Sequence, residues 1–210
     1  MARTPRQRQH RESFAERRER RAGIDDPAVV LNAAARFLEV RSRSIDEVRR
    51  HLTQAGYQPE LVAAAVARLT ELGMLDDAAF ARLWVESRDR SRPRSEAALR
   101  RELTLKGIDR ETAGEVLDET RGRDAVRDAG GRRLDDAEDA GEGPDMIAAE
   151  RLLRKRAGVL ARISDPRGRR QRAYALLARN GFDPEVCREA TTRFLAAAGQ
   201  TSEDPAAPDD

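Results

Sequence analysis

Few side chains in this sequence have the types and spacing that catalysis or metal binding requires. Its two histidines, His10 and His51, have no Ser or Cys arrangement nearby that would complete a nucleophilic triad. His51 stands beside Leu52 in a charged helical stretch, which suits a solvent or interface role. Cys187 is the single cysteine and lies beside Val186 and Arg188 with no base near it, the setting of a packing residue rather than an activated thiol. One cysteine also excludes an intrachain disulfide and a repeated-thiolate zinc site, and fits a reducing cytosol. Asp76 and Asp77 raise metal ligation, yet their neighbours Met74, Leu75 and Phe80 supply no third hard ligand. One of the two serves more economically as an N-cap over the first amides of a helix from Ala78 to Ser87. Neither Gly-x-Gly-x-x-Gly nor a Gly-Lys-Ser/Thr phosphate loop occurs. No catalytic residue, cofactor or metal is expected, and a small nuclease lacks the clustered acids it would need.

The basic residues have more pattern. Arg49 and Arg50 precede Gly56 by seven and six residues, and Arg100 and Arg101 occupy the same places before Gly107. The matching places before Gly181 are Tyr174 and Ala175, with Arg169, Arg170 and Arg172 slightly upstream, so strict repetition fails there. Lys106 and Glu102 flank the second pair. A guanidinium fork serves phosphate or carboxylate equally, and the plainer alternative is a solvated helix face. Aromatic residues make up 4% of the chain, too few for a platform that stacks single-stranded bases. The totals, 40 basic and 38 acidic residues, give a net charge of +2 that does not establish a nucleic-acid binder. The charges are segregated, however. Residues 1–21 hold eight Arg and three Glu and residues 150–172 hold nine bases, whereas residues 122–145 carry eight acids against four Arg. A blander reading is a general bias toward Arg, since Lys106 and Lys155 are the only lysines.

These residues ride on a repeated element. Leu-x-x-x-Gly occurs at Leu52 to Gly56, Leu103 to Gly107 and Leu177 to Gly181, each time between two stretches of helical apolar spacing. The glycines are 51 and 74 residues apart, and the extra length falls mostly in the glycine-diluted stretch 121–145. The chain thus divides into a basic, flexible extension (1–26), a first three-helix repeat (27–70), a second (71–120), a linker or insertion (121–145) that alternatively is a charged, partly helical segment, a third repeat (146–199) and an acidic disordered tail (200–210). The extension is read either as disordered or as a solvent-facing helix. Asp26-Pro27 and Ser44 to Glu47 read as helix starts, and Gly56 as a left-handed stop. Ala, Leu and Val dominate the apolar content, so the fold class is all-α. Units this small bury little surface alone, and stacking them predicts an elongated, curved, modular body with a shallow polar binding face. No apolar run reaches membrane-spanning length, and the start lacks a signal-peptide core, so a cytoplasmic protein is expected.

Two motifs carry a specific resemblance. The run Gly73-Met74-Leu75-Asp76-Asp77-Ala78-Ala79-Phe80-Ala81, followed by Leu99 to Ile108 with its Glu102-Leu103-Thr104-Leu105-Lys106-Gly107-Ile108 core, resembles the central signature of the bacterial RecX family. The likeness is strong over residues 28–118 and looser over 146–196, where Asn180-Gly181-Phe182 stands for the family's Arg/Lys-Gly-Phe element. Arg92-Pro93-Arg94 departs from it, since many relatives have Gly there. The resemblance implies tandem three-helix repeats that bind the RecA recombinase filament on single-stranded DNA. It implies restraint of filament extension, ATP hydrolysis, strand exchange and coprotease activity, with no catalysis of the protein's own. Contact residues are then expected among Arg49, Arg50, Arg100, Arg101 and Lys106, with Arg169, Arg170 and Arg172 after them. Gly73, Asp76, Asp77, Phe80, Leu103, Gly107 and Gly181 are the motif positions read as structural. The expected partners are the RecA filament and single-stranded DNA, bound directly or through the filament by a single copy of the chain. The competing reading is a helical repeat protein that binds DNA directly, without a recombinase.

Overall fold

The computed structural model describes residues 12–128 and 143–200. His10, most of the expected linker and the tail from 201 lie outside them. Ten helices run through the described residues and divide into two units, Met1–Asp77 and Ala78–Asp210. The fold is all-α and built from three-helix repeats. No described helix is long and apolar enough to cross a membrane.

The first unit holds α1 (Phe14–Ala22), α2 (Pro27–Glu39), α3 (Ile45–Ala55) and α4 (Pro59–Glu71). Each start is dictated locally. Asp26 accepts the Ala28 N–H ahead of Pro27, whose missing donor costs nothing at the first helical position. Ser44 accepts the Glu47 N–H, and Gly56 ends α3 at φ 100°, a left-handed conformation that a side chain resists. The apolar faces of α2, α3 and α4 meet in a core of Val30, Ala34, Val48, Leu52, Val62 and Leu69. Leu75 also belongs to this core, although its place in the Gly73 to Asp77 run suggests the opening of the second repeat. It follows α4 closely enough to fold back under it, through Met74 and Leu75 N–H groups that both donate to the Leu69 carbonyl.

The extension is not wholly flexible. Helix α1 is fixed by a reciprocal capping box, Glu16 N–H to Ser13 Oγ and Ser13 N–H to Glu16 Oε2, and by an Arg20–Glu12 pair at 2.9 Å. None of its residues is buried, in keeping with the alternative of a solvent-facing helix.

The second unit holds α5 (Asp77–Ser91, its first residue closing the first unit), α6 (Glu96–Leu105), α7 (Arg110–Asp128), α8 (Pro144–Ala161), α9 (Pro166–Arg179) and α10 (Pro184–Gln200). Phe80, Val85, Leu99, Leu103, Ile108, Val116 and Leu117 form one core, and Leu152, Leu153, Ala173, Leu177, Phe182, Cys187 and Ala190 form the next. Two boundaries of the expected linker move. α7 continues to Asp128 and α8 begins at Pro144, so residues 121 and 145 sit on ordered helices. They also meet. Arg121, 4% exposed, bonds Asp145 Oδ1 at 2.5 Å and the Arg94 carbonyl at 2.7 Å, while Asp145 Oδ1 accepts the Glu96 N–H at 2.8 Å. The third repeat is thereby tied to the start of α6.

Candidate functional site

The basic residues singled out by their spacing all lie on the second helix of a repeat or at its end. That helix starts at an N-cap, Ser44 for α3, Ser95 for α6 and Asp165 for α9, and Arg49, Arg100 and Arg170 each fall five residues beyond it. Gly56 and Gly107 follow their N-caps by 12 residues and Gly181 by 16, so α9 is longer by about one turn. This extra turn explains the broken repetition. Counted back from the glycine the third repeat loses the pattern; counted forward from the helix start it keeps the first arginine, Arg170, while Gln171 takes the place of Arg50 and Arg101.

Their surroundings differ. Arg50 pairs with Asp46 at 2.7 Å and Arg49 stands 3.9 Å from the same carboxylate, both with half their side chains in solvent. Arg100 is drawn inward along its own helix to Glu96 at 2.8 Å, with Asp118 of α7 at 3.9 Å. Arg101 is exposed and borders the third repeat, one of its terminal nitrogens lying 3.3 Å from where a Cβ on Gly181 would stand. Arg169 donates twice to the Ile163 carbonyl, at 3.0 and 2.9 Å, and so closes the α8–α9 turn. Arg170 and Arg172 are exposed and, among the described residues, have no ion-pair partner. Arg49, Arg50, Arg101, Arg170 and Arg172 therefore face outward, while Arg100 and Arg169 are held by the fold.

Lys106 belongs to a cluster that spacing did not disclose. Its ammonium lies 4.7 Å from the centre of the Trp84 ring and the Arg88 guanidinium 4.5 Å from it, both in cation–π range. Glu102 organises the group: it accepts from Trp84 Nε1 at 2.8 Å and from Arg88 Nε at 2.7 Å, and Arg94 forms an ion pair with it at 2.9 Å that lacks hydrogen-bond geometry. The readable signal was Arg88 four residues after Trp84 on one helix, a spacing that places them on the same face.

The family-motif residues have identifiable positions. Phe80 is buried against Trp84, their ring centres 6.0 Å apart, and Leu103 is fully buried. Gly73, Gly107 and Gly181 have φ of 68°, 82° and 89°. Asp76 is exposed just ahead of α5. Asp77 does more than open that helix: its Oδ1 accepts the Ile45 N–H at 2.9 Å, the first amide of α3. Asp145 serves Glu96, the first residue of α6, in the same way. In α9 the first residue is Pro166, which has no such donor.

His51 stacks on Phe37 with ring centres 3.8 Å apart and planes 4° from parallel, and the Arg43 guanidinium lies 4.1 Å from the centre of the Phe37 ring. Burial, with the charges of Arg21 and Arg43, lowers its pKa from the ordinary 6.5. Burial, with the Asp183 charge, pushes the Cys187 thiol up, and its Sγ–H faces the Phe182 carbonyl. Among the described residues no group of three or more His, Cys, Asp or Glu side chains could hold a metal ion.

Comparison with known proteins assigns all three repeats. Sequence models of the first, second and third three-helix domains of RecX match residues 31–69, 76–117 and 145–191. The regulatory protein RecX of Mycobacterium ulcerans (strain Agy99) is 33% identical over 162 residues, covering 77% of this chain and 82% of that protein. The RecX of Amycolatopsis mediterranei (strain U-32) is 32% identical over 146 residues, 70% of this chain and 71% of its own length. A crystal structure of RecX from Lactobacillus salivarius superposes with a TM-score of 0.56 at 17% identity, covering 82% of this chain and 98% of that one, which speaks for the fold.

Proposed function

Since the chain belongs to the RecX family, we propose that it binds the RecA filament on single-stranded DNA and restrains its assembly, ATP hydrolysis, strand exchange and coprotease activity. The observation that carries this reading is that the second helix of every repeat presents exposed arginine at the fifth or sixth residue beyond its N-cap, Arg49 and Arg50 in the first, Arg101 in the second and Arg170 in the third. A partner that is itself a repeating polymer offers equivalent anionic groups at intervals, and a chain with equivalent cations in successive repeats engages them in parallel. Each contact is weak, and their linkage raises effective concentration. Arg49, Arg50, Arg101, Lys106, Arg170 and Arg172 are the proposed contacts. Arg100 and Arg169 contribute chiefly by holding their helices, in view of their internal bonds. The working form we propose is a single copy in the cytoplasm.

A second reading, direct DNA binding, is favoured by the exposed bases Arg156, Arg162, Arg167, Arg170 and Arg172 of the third repeat. One experiment separates the two: association with nucleotide-bound RecA assembled on single-stranded DNA, set against the bare DNA at matched ionic strength. The proposal expects much tighter attachment to the filament. Equal affinity for bare DNA, falling steeply with salt, would leave the DNA reading in its place.

A further inference from the structure

We propose that α1 is an end cap: it covers the corner of the first repeat through which a repeat docks on a neighbour, and so prevents a second copy of the chain from docking there. The second unit shows what such a corner does when it meets another repeat. The Asn180-Gly181 corner of the third repeat sits on the start of α6, where Ser95 Oγ–H donates to the Gly181 carbonyl at 2.7 Å and Ser95 N–H to the Asn180 carbonyl at 3.3 Å. Arg92 Nε reaches Asn180 Oδ1 at 3.1 Å. The approach is so close that a Cβ on Gly181 would lie 2.8 Å from Ala98 Cβ and 2.9 Å from Ser95 Oγ.

In the first repeat Ala55-Gly56 is the equivalent corner, and the element against it is α1. Helix α1 occupies its outer side. A Cβ on Gly56 would lie 2.5 Å from Arg18 Cγ and 2.7 Å from the Arg18 carbonyl oxygen, the same intimacy that Gly181 has with α6. The Ala55 carbonyl, counterpart of the Asn180 carbonyl, accepts from Arg21 at 3.4 Å, and Gln58 Nε2 donates to the Ala22 and Ile24 carbonyls at 3.0 and 3.2 Å. Arg21 also lies 5.5 Å from the centre of the Tyr57 ring. Yet α1 buries none of its own residues, and a shallow cleft of 530 Å³ lined by Ala15, Arg18, Ala22, Gly56, Tyr57 and Pro59 runs beside its contact with the corner. It is held by a few polar contacts, which suits a cap and not a core helix. Repeat arrays need such polar end pieces because an uncovered docking face accepts another copy.

The complementary surface on a second copy is the start of α9. Arg162 stands three residues before the Asp165 N-cap, as Arg92 does before Ser95, and Gly168 occupies the place of Ala98. The two ends also agree in what they lack. Pro166 offers no N–H where Ile45 and Glu96 do, and Ala28 occupies in α2 the second position that Asp145 holds in α8, so that donor and that carboxylate are missing together; Asp165, in the place of Ser95, has no proton for the Gly56 carbonyl and keeps its carboxylate on the Arg167 and Gly168 N–H groups. Such a head-to-tail joint is heterologous and does not close, so it grows with concentration.

The test is sedimentation of the full chain, of a chain beginning at Gly23, and of the full-length double variant Arg21→Glu, Gln58→Glu, whose carboxylates would face the Ala55, Ala22 and Ile24 carbonyls that Arg21 and Gln58 now satisfy. The full chain is expected to sediment as one copy at all concentrations. The shortened chain and the double variant should each rise toward about twice that mass or beyond as concentration increases, and adding Arg162→Glu should return them to one copy. If the shortened chain fails to fold, the double variant decides alone. A folded variant that stays single, with trypsin cutting α1 rapidly at its released arginines, overturns the proposal, as does self-association that Arg162→Glu leaves untouched.

Discussion

Two side chains show how much a single residue can carry in this molecule. His51 is neutral by preference in the fold, because its stacked face is withdrawn from water and Arg21 and Arg43 repel a proton there. Its folded pKa lies below the unfolded 6.5, so the unfolded chain takes up the proton first. The contribution of His51 is therefore complete above 6.5 and is lost as pH falls through the folded value. Melting of the first unit should decline on acidification in that window, and His51→Gln should flatten the decline, which thermal melts at a series of pH values will read. Arg121 is the opposite case, a charge kept buried by its partners. Arg121→Met strips the Arg94 carbonyl and Asp145 of that donor at once and is expected to cost the second unit about 3 kcal/mol, because breaking a buried pair strands its remaining half. Denaturant unfolding followed by Trp84 fluorescence measures it. Neither residue advertised its role in the sequence. The Phe37–His51 stack joins two helices, and the Arg121–Asp145 bond spans 24 positions across a glycine-rich stretch that local pattern reads as a break.

At the scale of the element, local chemistry was legible where a few neighbouring residues decide the conformation. Asp26-Pro27, Ser44 and Gly56 begin and end helices as their types require, and the Leu-x-x-x-Gly phrase locates the sharp turn in all three repeats. What spacing could not supply was a bond to a distant helix. Asp77 reads locally as a cap for α5 and also serves Ile45, 32 residues earlier, while α9 hides its match to α3 and α6 behind one added turn. The glycine turns allow a quantitative separation of local strain from packing. Gly73 has φ 68° with open space around it, so Gly73→Ala pays for left-handed strain alone, about 1 kcal/mol. Gly181→Ala adds a collision with Ala98 and Ser95 to similar strain and should cost about 3 kcal/mol. Equal losses in chemical denaturation would mean that the contact between the corner of repeat three and α6 contributes nothing.

Across the whole molecule, the design distributes its cations among repeats instead of gathering them in a pocket, and this decides how binding should fail. Arg50, Arg101 and Arg170 lie on the surface of different repeats, Arg50 in an exposed pair with Asp46 and the other two without an ion pair among the described residues, so their removal should leave melting nearly unchanged. An exposed charge contact is worth ~0.7 kcal/mol, so each single change to Ala should weaken attachment to the filament about threefold. With no shared partners the effects add in free energy, and the triple variant should lose about thirtyfold. The slope of affinity against salt should fall by a similar step with each cation removed, since every lost contact releases fewer counterions. Titration of the single, double and triple variants against the RecA filament on single-stranded DNA reads this directly. If one substitution alone abolished attachment while the other two were silent, the contact would be concentrated in a single repeat, and the exposed arginines of the other two would have to be assigned to solubility and not to binding.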